Sequence, residues 1–287
     1  MADACEIARL PEELLSAAIS RAAPRDACRA AAASPAFRAA ADSDAVWACF
    51  LPRDLPPLAD GELGLAGPAR PPLSKKALFL RLADPSRPVL LADGRTSMWL
   101  DRETGAKCYM LSARALSIAW GDTPRYWRWI PLTDSSFSEA AELLFVCWLE
   151  IRGEIQSKML TQDSTYVAYI VFKLADRSYG LDFPVQQASV SIGERKSTSQ
   201  VCLETFEDED EALENYLNGM RRQLGGCPPG ANVLLPKKRD DGWMELEMGE
   251  FYNEKGDDGV VSISLTEIVK LYAKKGLIVQ GIEIRAK

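Results

Sequence analysis

Apolar residues in the first fifty positions follow the spacing of short helices. They recur every three or four residues on one predicted helix face: Leu10, Leu14, Leu15 and Ile19. Three prolines stand where helices would begin, at positions that do not need the missing N–H: Pro11, Pro24 and Pro35. The pattern predicts a bundle of short helices over residues 1–52, which ends in a helix from Asp44 to Phe50.

The chain changes character over residues 53–88, which hold many prolines and several glycines up to residue 72. Such a composition is typical of a linker. A single helix is predicted from Leu73 to Leu82, with Ser74 as its N-cap, and Pro85 and Pro88 end it.

From residue 89 onward the apolar pattern has period two, with β-branched and aromatic residues between turn signals. Asp93-Gly94 is a hairpin-type turn. The nearly continuous apolar stretch from Leu143 to Ile155 predicts a strand that is buried on both faces. Further strands are predicted at residues 166–174, 243–248, 260–265 and 277–284. Many short strands without regular helices between them indicate an antiparallel β-sandwich, of jelly-roll type, over residues 89–287, so the predicted fold class is α+β.

An acidic segment at residues 204–215 interrupts the strand pattern. We interpret it as a solvated surface insertion. An acidic docking loop is the functional alternative, but no specific motif supports it.

Composition and charge narrow the function classes. The chain has 287 residues, of which 47% are hydrophobic and 26% charged, as in an ordinary globular protein. A net charge of −7 without a basic stripe argues against a nucleic-acid partner. The N-terminus lacks the pattern of a signal peptide, and no apolar run approaches the ~18 residues of a membrane span. We expect a reduced protein in the cytoplasm, the nucleus or both, without membrane insertion.

The sequence contains no histidine, and its seven cysteines form no CxxC pair. Ser-His-Asp and Cys-His catalysis, histidine-ligated metals and cysteine-based zinc ribbons are therefore excluded. Carboxylate acid–base chemistry is still compatible with the sequence. We expect no catalytic residues, no metal and no cofactor.

Tryptophans and carboxylates form the most informative chemical pattern in the second half. The residues concerned are Trp120, Trp127, Trp129, Trp243, Glu245 and Glu250. A tryptophan face can stack on the apolar face of a sugar ring, and a carboxylate accepts strong hydrogen bonds from hydroxyl and amide groups. The same residues also occur in ordinary sandwich cores and rims, so the chemistry alone leaves sugar binding and structure as alternatives.

The N-terminal bundle resembles an F-box over residues 7–52. Three motifs and one tryptophan carry the resemblance: Leu10-Pro-Glu-Glu-Leu-Leu15, Pro24-Arg-Asp-Ala-Cys-Arg29, Ser34-Pro-Ala-Phe-Arg38 and Trp47. About 45 residues in short helices bury little apolar surface by themselves, which fits a segment that needs a partner. A bundle whose leucines pack only against each other is the alternative. The resemblance implies a Skp-type adaptor as partner, bound through Leu10, Pro11, Leu14, Leu15 and Ile19, with Phe37 and Trp47 partly in the core and partly at the interface.

Roughly residues 105–287 resemble the phloem-protein-two family of Nictaba-like lectins, whose B-type plant members carry an F-box. The motifs run in order from Ser112-Ala-Arg-Ala-Leu-Ser-Ile-Ala-Trp-Gly-Asp122 and Tyr126-Trp-Arg-Trp129 to Asp241-Gly-Trp-Met-Glu245 and Gly276-Leu-Ile-Val-Gln280. The resemblance implies binding of N-acetylglucosamine oligomers by residues that match the family's motifs: Trp120, Trp127, Glu245 and Glu250. Trp120 lies on an apolar alternation and is predicted to be core, whereas Trp127 is the better ring platform. Glu245 shares a predicted strand face with Trp243, so both could contact one ligand.

These features lead to a main hypothesis and three alternatives. The main hypothesis is a substrate receptor of a Skp–cullin–F-box ubiquitin ligase, which reads N-acetylglucosamine-bearing glycans on glycoproteins and carries out no chemistry itself. The alternatives are a lectin whose F-box does not dock, an F-box receptor that recognises protein rather than sugar, and, least supported, an enzyme.

Overall fold

The structure is a computed structural model that describes residues 10–63, 73–133, 135–204, 233–254 and 258–287. Its internal contacts divide the chain into two compact units, Met1–Cys108 and Tyr109–Lys287. The acidic segment predicted to be a surface insertion lies, from residue 205 onward, outside the described residues. Among the residues that are described, no helix combines the length and the apolar character needed to cross a membrane.

The described residues of unit 1 form five short helices and one hairpin. The helices are α1 (Glu12–Ile19), α2 (Pro24–Ala31), α3 (Pro35–Asp42), α4 (Asp44–Phe50) and α5 (Lys75–Leu82), and the hairpin strands are β1 (Val89–Leu90) and β2 (Thr96–Leu100). The predicted helix starts are confirmed. Pro24 and Pro35 occupy the first turns of α2 and α3, and the Ser74 side chain accepts a hydrogen bond from the N–H of Ala77.

The Asp93-Gly94 turn joins β1 to β2 as predicted. Gly94 has φ +65°, and one carboxylate oxygen of Asp93 accepts hydrogen bonds from the N–H groups of Arg95 and Thr96 at 2.8 Å each. This hairpin belongs to unit 1, where Leu91 also forms an isolated bridge with Leu58. The second unit therefore starts at residue 109, later than the predicted boundary at residue 89.

The core of the helical bundle is built largely from small side chains. Its buried members are Leu15, Ile19, Ala27, Ala40, Ala41 and Val46. Alanines let the short helices approach closely, and each buried leucine or isoleucine side chain contributes about 1.5–3 kcal/mol of transfer free energy. The bundle thus fills its own interior with part of the apolar stripe predicted for α1.

Unit 2 consists mainly of strands in two sheets. After β3 (Lys107–Ser112), which begins just before the boundary, they are β4 (Ser117–Ile118), β5 (Trp127–Pro131), β6 (Glu139–Leu143), β7 (Leu149–Gln156), β8 (Ser164–Tyr179), β9 (Gln186–Ile192), β10 (Arg195–Val201), β11 (Val233–Leu234), β12 (Lys237–Lys238), β13 (Met244–Asn253), β14 (Val260–Glu267) and β15 (Lys275–Ala286). Together with the N-terminal helices they confirm the predicted α+β class and its antiparallel sheets.

The two sheets have simple strand orders. In the first sheet the order is β3-β15-β8-β13-β12, with β6 paired to β15 beyond the end of β3 and β5 paired to β6. In the second sheet the order is β11-β10-β9-β14-β7-β4. We call these the first sheet and the second sheet. The pairings are antiparallel except that β11 runs parallel to β10.

Gly153 on β7 marks a place where the inner faces of the two sheets approach each other closely. A Cβ atom at this position would lie 3.0 Å from the side chain of Leu116, 3.1 Å from that of Ile282 and 3.2 Å from that of Leu111. Ile282 and Leu111 belong to the first sheet, whereas Gly153 belongs to the second. The missing side chain therefore lets the apolar layers of both sheets fill one core.

The predicted strand from Leu143 to Ile155 is corrected in two respects. Strand β6 ends at Leu143, and β7 begins only at Leu149, so a connection separates two strands of different sheets. β7 also alternates buried and exposed positions instead of being buried on both faces. The apolar residues Phe145 and Trp148, which made the stretch look continuous, lie in the connection and are exposed.

We expect Gly153→Val to destabilise unit 2 by about 1–3 kcal/mol, because the added side chain would overpack the space between the sheets. The measurement is urea unfolding of the purified chain. Glu154→Val on the exposed side of the same strand is the matched control and should change stability by no more than about 0.5 kcal/mol. Equal losses in both variants would contradict the close approach at Gly153.

Candidate functional site

The predicted adaptor-binding residues separate into an exposed and a buried group. Leu10 and Leu14 are 44% and 56% exposed, and Pro11 is also exposed. Phe37 is half-buried at the edge of the bundle core. Leu10, Pro11, Leu14 and Phe37 thus offer surface to a partner, and we call the first three the α1 leucine surface.

The other residues predicted to bind the adaptor lie in the core instead. Leu15, Ile19 and Trp47 are 2%, 6% and 1% exposed. The Trp47 indole N–H donates a 2.7 Å hydrogen bond to the carbonyl of Ala41, and its ring packs against Phe50 and Phe79. Side chains enclosed in this way stabilise the bundle and have almost no area left for a partner.

The two tryptophans predicted to bind sugar show the opposite of the predicted exposure. Trp127, the predicted platform, is 2% exposed, and its indole N–H donates to the carbonyl of Ala119 at 3.1 Å. Trp120, predicted to be core, is 48% exposed. Its backbone has φ +56°, which ends the alternation of β4 and directs the chain into a turn. The sequence pattern could not show this change of backbone conformation.

Trp120 is supported on one side by an aromatic neighbour. Its ring centroid lies 5.7 Å from that of Tyr126. A bulky residue in the left-handed region costs about 1–3 kcal/mol and occurs most often at functional sites. Trp120 is therefore the family-motif tryptophan that can present a ring to a ligand.

Trp129, the third tryptophan of the cluster, is engaged by its own unit. Its indole N–H donates to the carbonyl of Gly121 at 3.2 Å, and the Arg114 guanidinium lies 3.6 Å from the ring centroid. Arg114 in turn forms a 2.7 Å ion pair with Glu139. One face of the Trp129 ring is thus occupied by a cation.

Glu245 accepts its hydrogen bonds from arginines within the first sheet. Its carboxylate lies 2.8 Å from Arg285 and 3.4 Å from Arg239, which also binds the buried Glu283 at 2.6 Å. Burial alone would lower the pKa of Arg239, but Glu283 and the other nearby carboxylates raise it above its ordinary value. The network stays charged and paired, so Glu245 has a structural role in this conformation.

The predicted partnership of Trp243 with Glu245 is also altered. Trp243 is 8% exposed, and Lys173 lies 4.5 Å from the centroid of its ring. A ring covered in this way is a poor stacking platform. Glu250 is more accessible, although it pairs with Lys287 and raises the pKa of that lysine, mainly through a hydrogen bond.

The four predicted sugar-binding residues do not converge on one site. Trp127 is on β5, and Glu245 and Glu250 are on β13, with β6, β15 and β8 between these strands. Four strand spacings correspond to about 19 Å. Trp127 and the two glutamates therefore lie at different places on unit 2.

A second exposed aromatic site was missed by the sequence analysis. Trp148 is 38% exposed, and its indole N–H donates a 3.0 Å hydrogen bond to the Glu150 carboxylate. Glu150 also pairs with Arg152. The hydrogen bond from Trp148 is the main cause that lowers the pKa of Glu150, so this carboxylate stays ionised at neutral pH.

The missed site is connected to Trp120 through the backbone. The N–H of Ala119 donates to the carbonyl of Glu150 at 3.0 Å, which continues the pairing of β4 with β7. The alternation Trp148-Leu149-Glu150-Ile151-Arg152 could have revealed it, since alternate residues of a strand share a face. The arrangement provides a fixed indole ring beside an ionised carboxylate, a combination that suits a ligand with apolar ring faces and hydroxyl donors.

Comparison with known proteins finds similarity in both halves of the chain. Residues 106–286 match the phloem protein 2 family. The Arabidopsis thaliana F-box protein PP2-B10 is 41% identical over 278 residues, which represent 96% of this chain and 92% of the relative. F-box protein PP2-B1 from the same organism is 40% identical, with 96% of this chain and 88% of the relative aligned. F-box protein PP2-B15, also from Arabidopsis thaliana, is 36% identical, with coverages of 97% and 96%.

We expect Trp127→Ala to lower stability by about 3–5 kcal/mol, because it empties a buried volume and removes an internal hydrogen bond. Trp120→Ala removes a side chain that is 48% exposed and should change stability by no more than about 0.5 kcal/mol. Thermal unfolding followed by near-UV circular dichroism measures both. A larger loss for Trp120→Ala than for Trp127→Ala would contradict the burial of Trp127 and the exposure of Trp120.

Proposed function

The chain belongs to the phloem protein 2 family and is an F-box protein of that type, and from this premise we propose that it is the substrate-recognition subunit of a Skp–cullin–F-box ubiquitin ligase. The observation that carries this proposal is the α1 leucine surface. It is the exposed part of an apolar stripe whose other members already fill the bundle core.

The α1 leucine surface has the properties of a protein contact. Leu10 directly precedes the N-cap residue Pro11, and Leu14 lies in the first turn of α1, so both exposed leucines are at the start of this helix. A small unit gains little by exposing two leucines to water, whereas a partner that covers them recovers about 25 cal/mol per Å² of apolar area. The proposed partner is a Skp-type adaptor and, through it, a cullin.

The proposed contribution to ubiquitination is proximity. The ubiquitin thioester would be carried by other subunits, and this chain would hold a substrate lysine close to it. The proposed role requires neither a cofactor nor a catalytic residue of this chain, and it would be exercised in the cytoplasm or the nucleus.

We further propose that unit 2 selects the substrate through N-acetylglucosamine-containing glycans on glycoproteins. Trp120 supports this proposal, because it is an exposed ring in a backbone conformation that large residues rarely adopt. Glu250 is the more accessible of the two motif glutamates, with 44% of its side chain exposed against 17% for Glu245.

A second candidate, recognition of protein rather than sugar, is favoured by the loop between β14 and β15. This loop exposes four large apolar side chains to solvent: Ile268, Val269, Leu271 and Tyr272. A buried Lys274–Glu267 ion pair holds its base, and Glu267 also accepts hydrogen bonds from the N–H groups of Val269 and Lys270. A rigid loop with apolar side chains is suited to a polypeptide partner.

We expect Leu14→Asp to weaken binding of a purified Skp-type adaptor at least a hundredfold, because the new carboxylate would be buried without a partner. Leu80→Asp is the matched control, since Leu80 is a 47% exposed leucine on α5 of the same unit. The control should bind like wild type, as measured by isothermal titration calorimetry. Absence of adaptor binding by the wild-type chain, or unchanged binding by Leu14→Asp, would contradict the receptor proposal.

For the glycan proposal, we expect the wild-type chain to bind N-acetylglucosamine oligomers on a glycan array. Trp120→Ala should weaken binding about tenfold, which corresponds to about 1.4 kcal/mol of lost stacking. Tyr252→Ala, which removes a 43% exposed ring from β13, is the control and should bind normally. A blank array for the wild-type chain would reject sugar recognition and favour the β14–β15 loop.

A further inference from the structure

The outward side of the second sheet carries a continuous polar surface next to Trp148. The strand register places Glu150 opposite Thr266, and Thr266 opposite Gln187. The neighbouring row runs from Arg152 to Ser264 and Ser189. Because paired residues of adjacent strands point to the same face, these side chains and the Trp148 ring share one side of the sheet. We call this surface the Trp148 face.

Three side chains of the Trp148 face are short and carry a hydroxyl group: Thr266, Ser264 and Ser189. The hydroxyl oxygens of Ser189 and Ser264 are 2.9 Å apart, and the Thr266 hydroxyl donates to the backbone carbonyl of Gln187 at 3.4 Å. Short residues in register make a shallow surface with many donors and acceptors. The two rows extend over the strands β7, β14 and β9, and two strand spacings correspond to about 10 Å.

The charges on this face are balanced at its tryptophan end. Arg152 pairs with Glu150, so the guanidinium does not stand alone as a phosphate site. The Trp148 ring is a large apolar group beside these rows, and it is fixed by its hydrogen bond to Glu150. A hydroxyl-rich ligand needs one ring platform and a row of polar partners, and Trp148 with these rows provides both.

We propose that the Trp148 face is an oligosaccharide subsite, in which a sugar ring stacks on Trp148, Glu150 accepts its hydroxyl or amide hydrogens, and following sugars lie along the rows of Thr266 and Ser264. This inference rests on the proposed glycan recognition and assigns it to residues other than Trp120, Trp127, Glu245 and Glu250. Trp120 lies next to the same strand edge, since Ala119 is hydrogen-bonded to Glu150.

The probe is the trimer of β1–4-linked N-acetylglucosamine, titrated into the full-length chain in a calorimeter. We expect Trp148→Ala to weaken binding at least tenfold. Gln187→Arg should weaken it at least fivefold, because a long side chain on an exposed position would obstruct the rows without disturbing the core. Tyr252→Ala on the first sheet should bind like wild type, and thermal unfolding verifies that each variant is folded.

The results of these titrations distinguish the Trp148 subsite from the broader proposal that the chain recognises glycans. If the wild-type chain binds the trimer and both Trp148→Ala and Gln187→Arg bind equally well, the Trp148 face is rejected while glycan recognition stands. If the wild-type chain does not bind the trimer, the subsite is rejected, and adaptor binding still decides the ligase role separately. A wild-type dimer that Gln187→Arg converts to a monomer, with trimer binding unchanged, would show a self-association surface and overturn the subsite.

Discussion

The pairing of β7 between β14 and β4 is the constraint on which the arrangement of unit 2 depends. One side of β7 lies in the core, where Gly153 leaves room for side chains of the first sheet. Burial of that side forces Glu150 and Arg152 to the outside, because strand residues alternate between faces. The β4 pairing then ends at Trp120, whose left-handed backbone turns the chain so that Trp127 enters the core on β5.

In the helical unit, the sequence pattern predicts the apolar stripe but not which of its residues are exposed. Leu10, Leu14, Leu15 and Ile19 form a single stripe in the sequence, but Leu10 precedes α1, and Leu14 lies in a different row of the helix from Leu15 and Ile19. Leu15 and Ile19 face the bundle core, whereas Leu10 and Leu14 stay in solvent. Spacing alone predicts that all four lie near one side, and only the packing of α3 and α4 against α1 decides which row is buried. The exposed row is the reason for expecting a partner.

Features that depend on neighbouring residues were predictable from the sequence, whereas contacts between distant parts of the chain were not. Proline positions, the serine caps and the Asp93-Gly94 turn depend on a few neighbouring residues, and the structure confirms them. The roles of Trp120 and Trp127 depend on one backbone torsion and on pairing with β6, which no local pattern shows. Glu245 was likewise assigned to a ligand, because its pairing with Arg285 joins positions 40 residues apart in the chain. The candidate site consequently shifted toward Trp148 and Glu150.

Each of the two units is proposed to bind one partner, the adaptor at unit 1 and the glycan at unit 2. Hydrogen–deuterium exchange of the full-length chain tests this proposal most directly. Addition of a Skp-type adaptor should slow exchange in the first turns of α1 and leave β7 unchanged. Addition of an N-acetylglucosamine oligomer should slow exchange around residues 119–120 and 148–152 and leave α1 unchanged. Protection by the adaptor outside the helical unit, or by the oligomer at β13 instead of β7, would contradict the account.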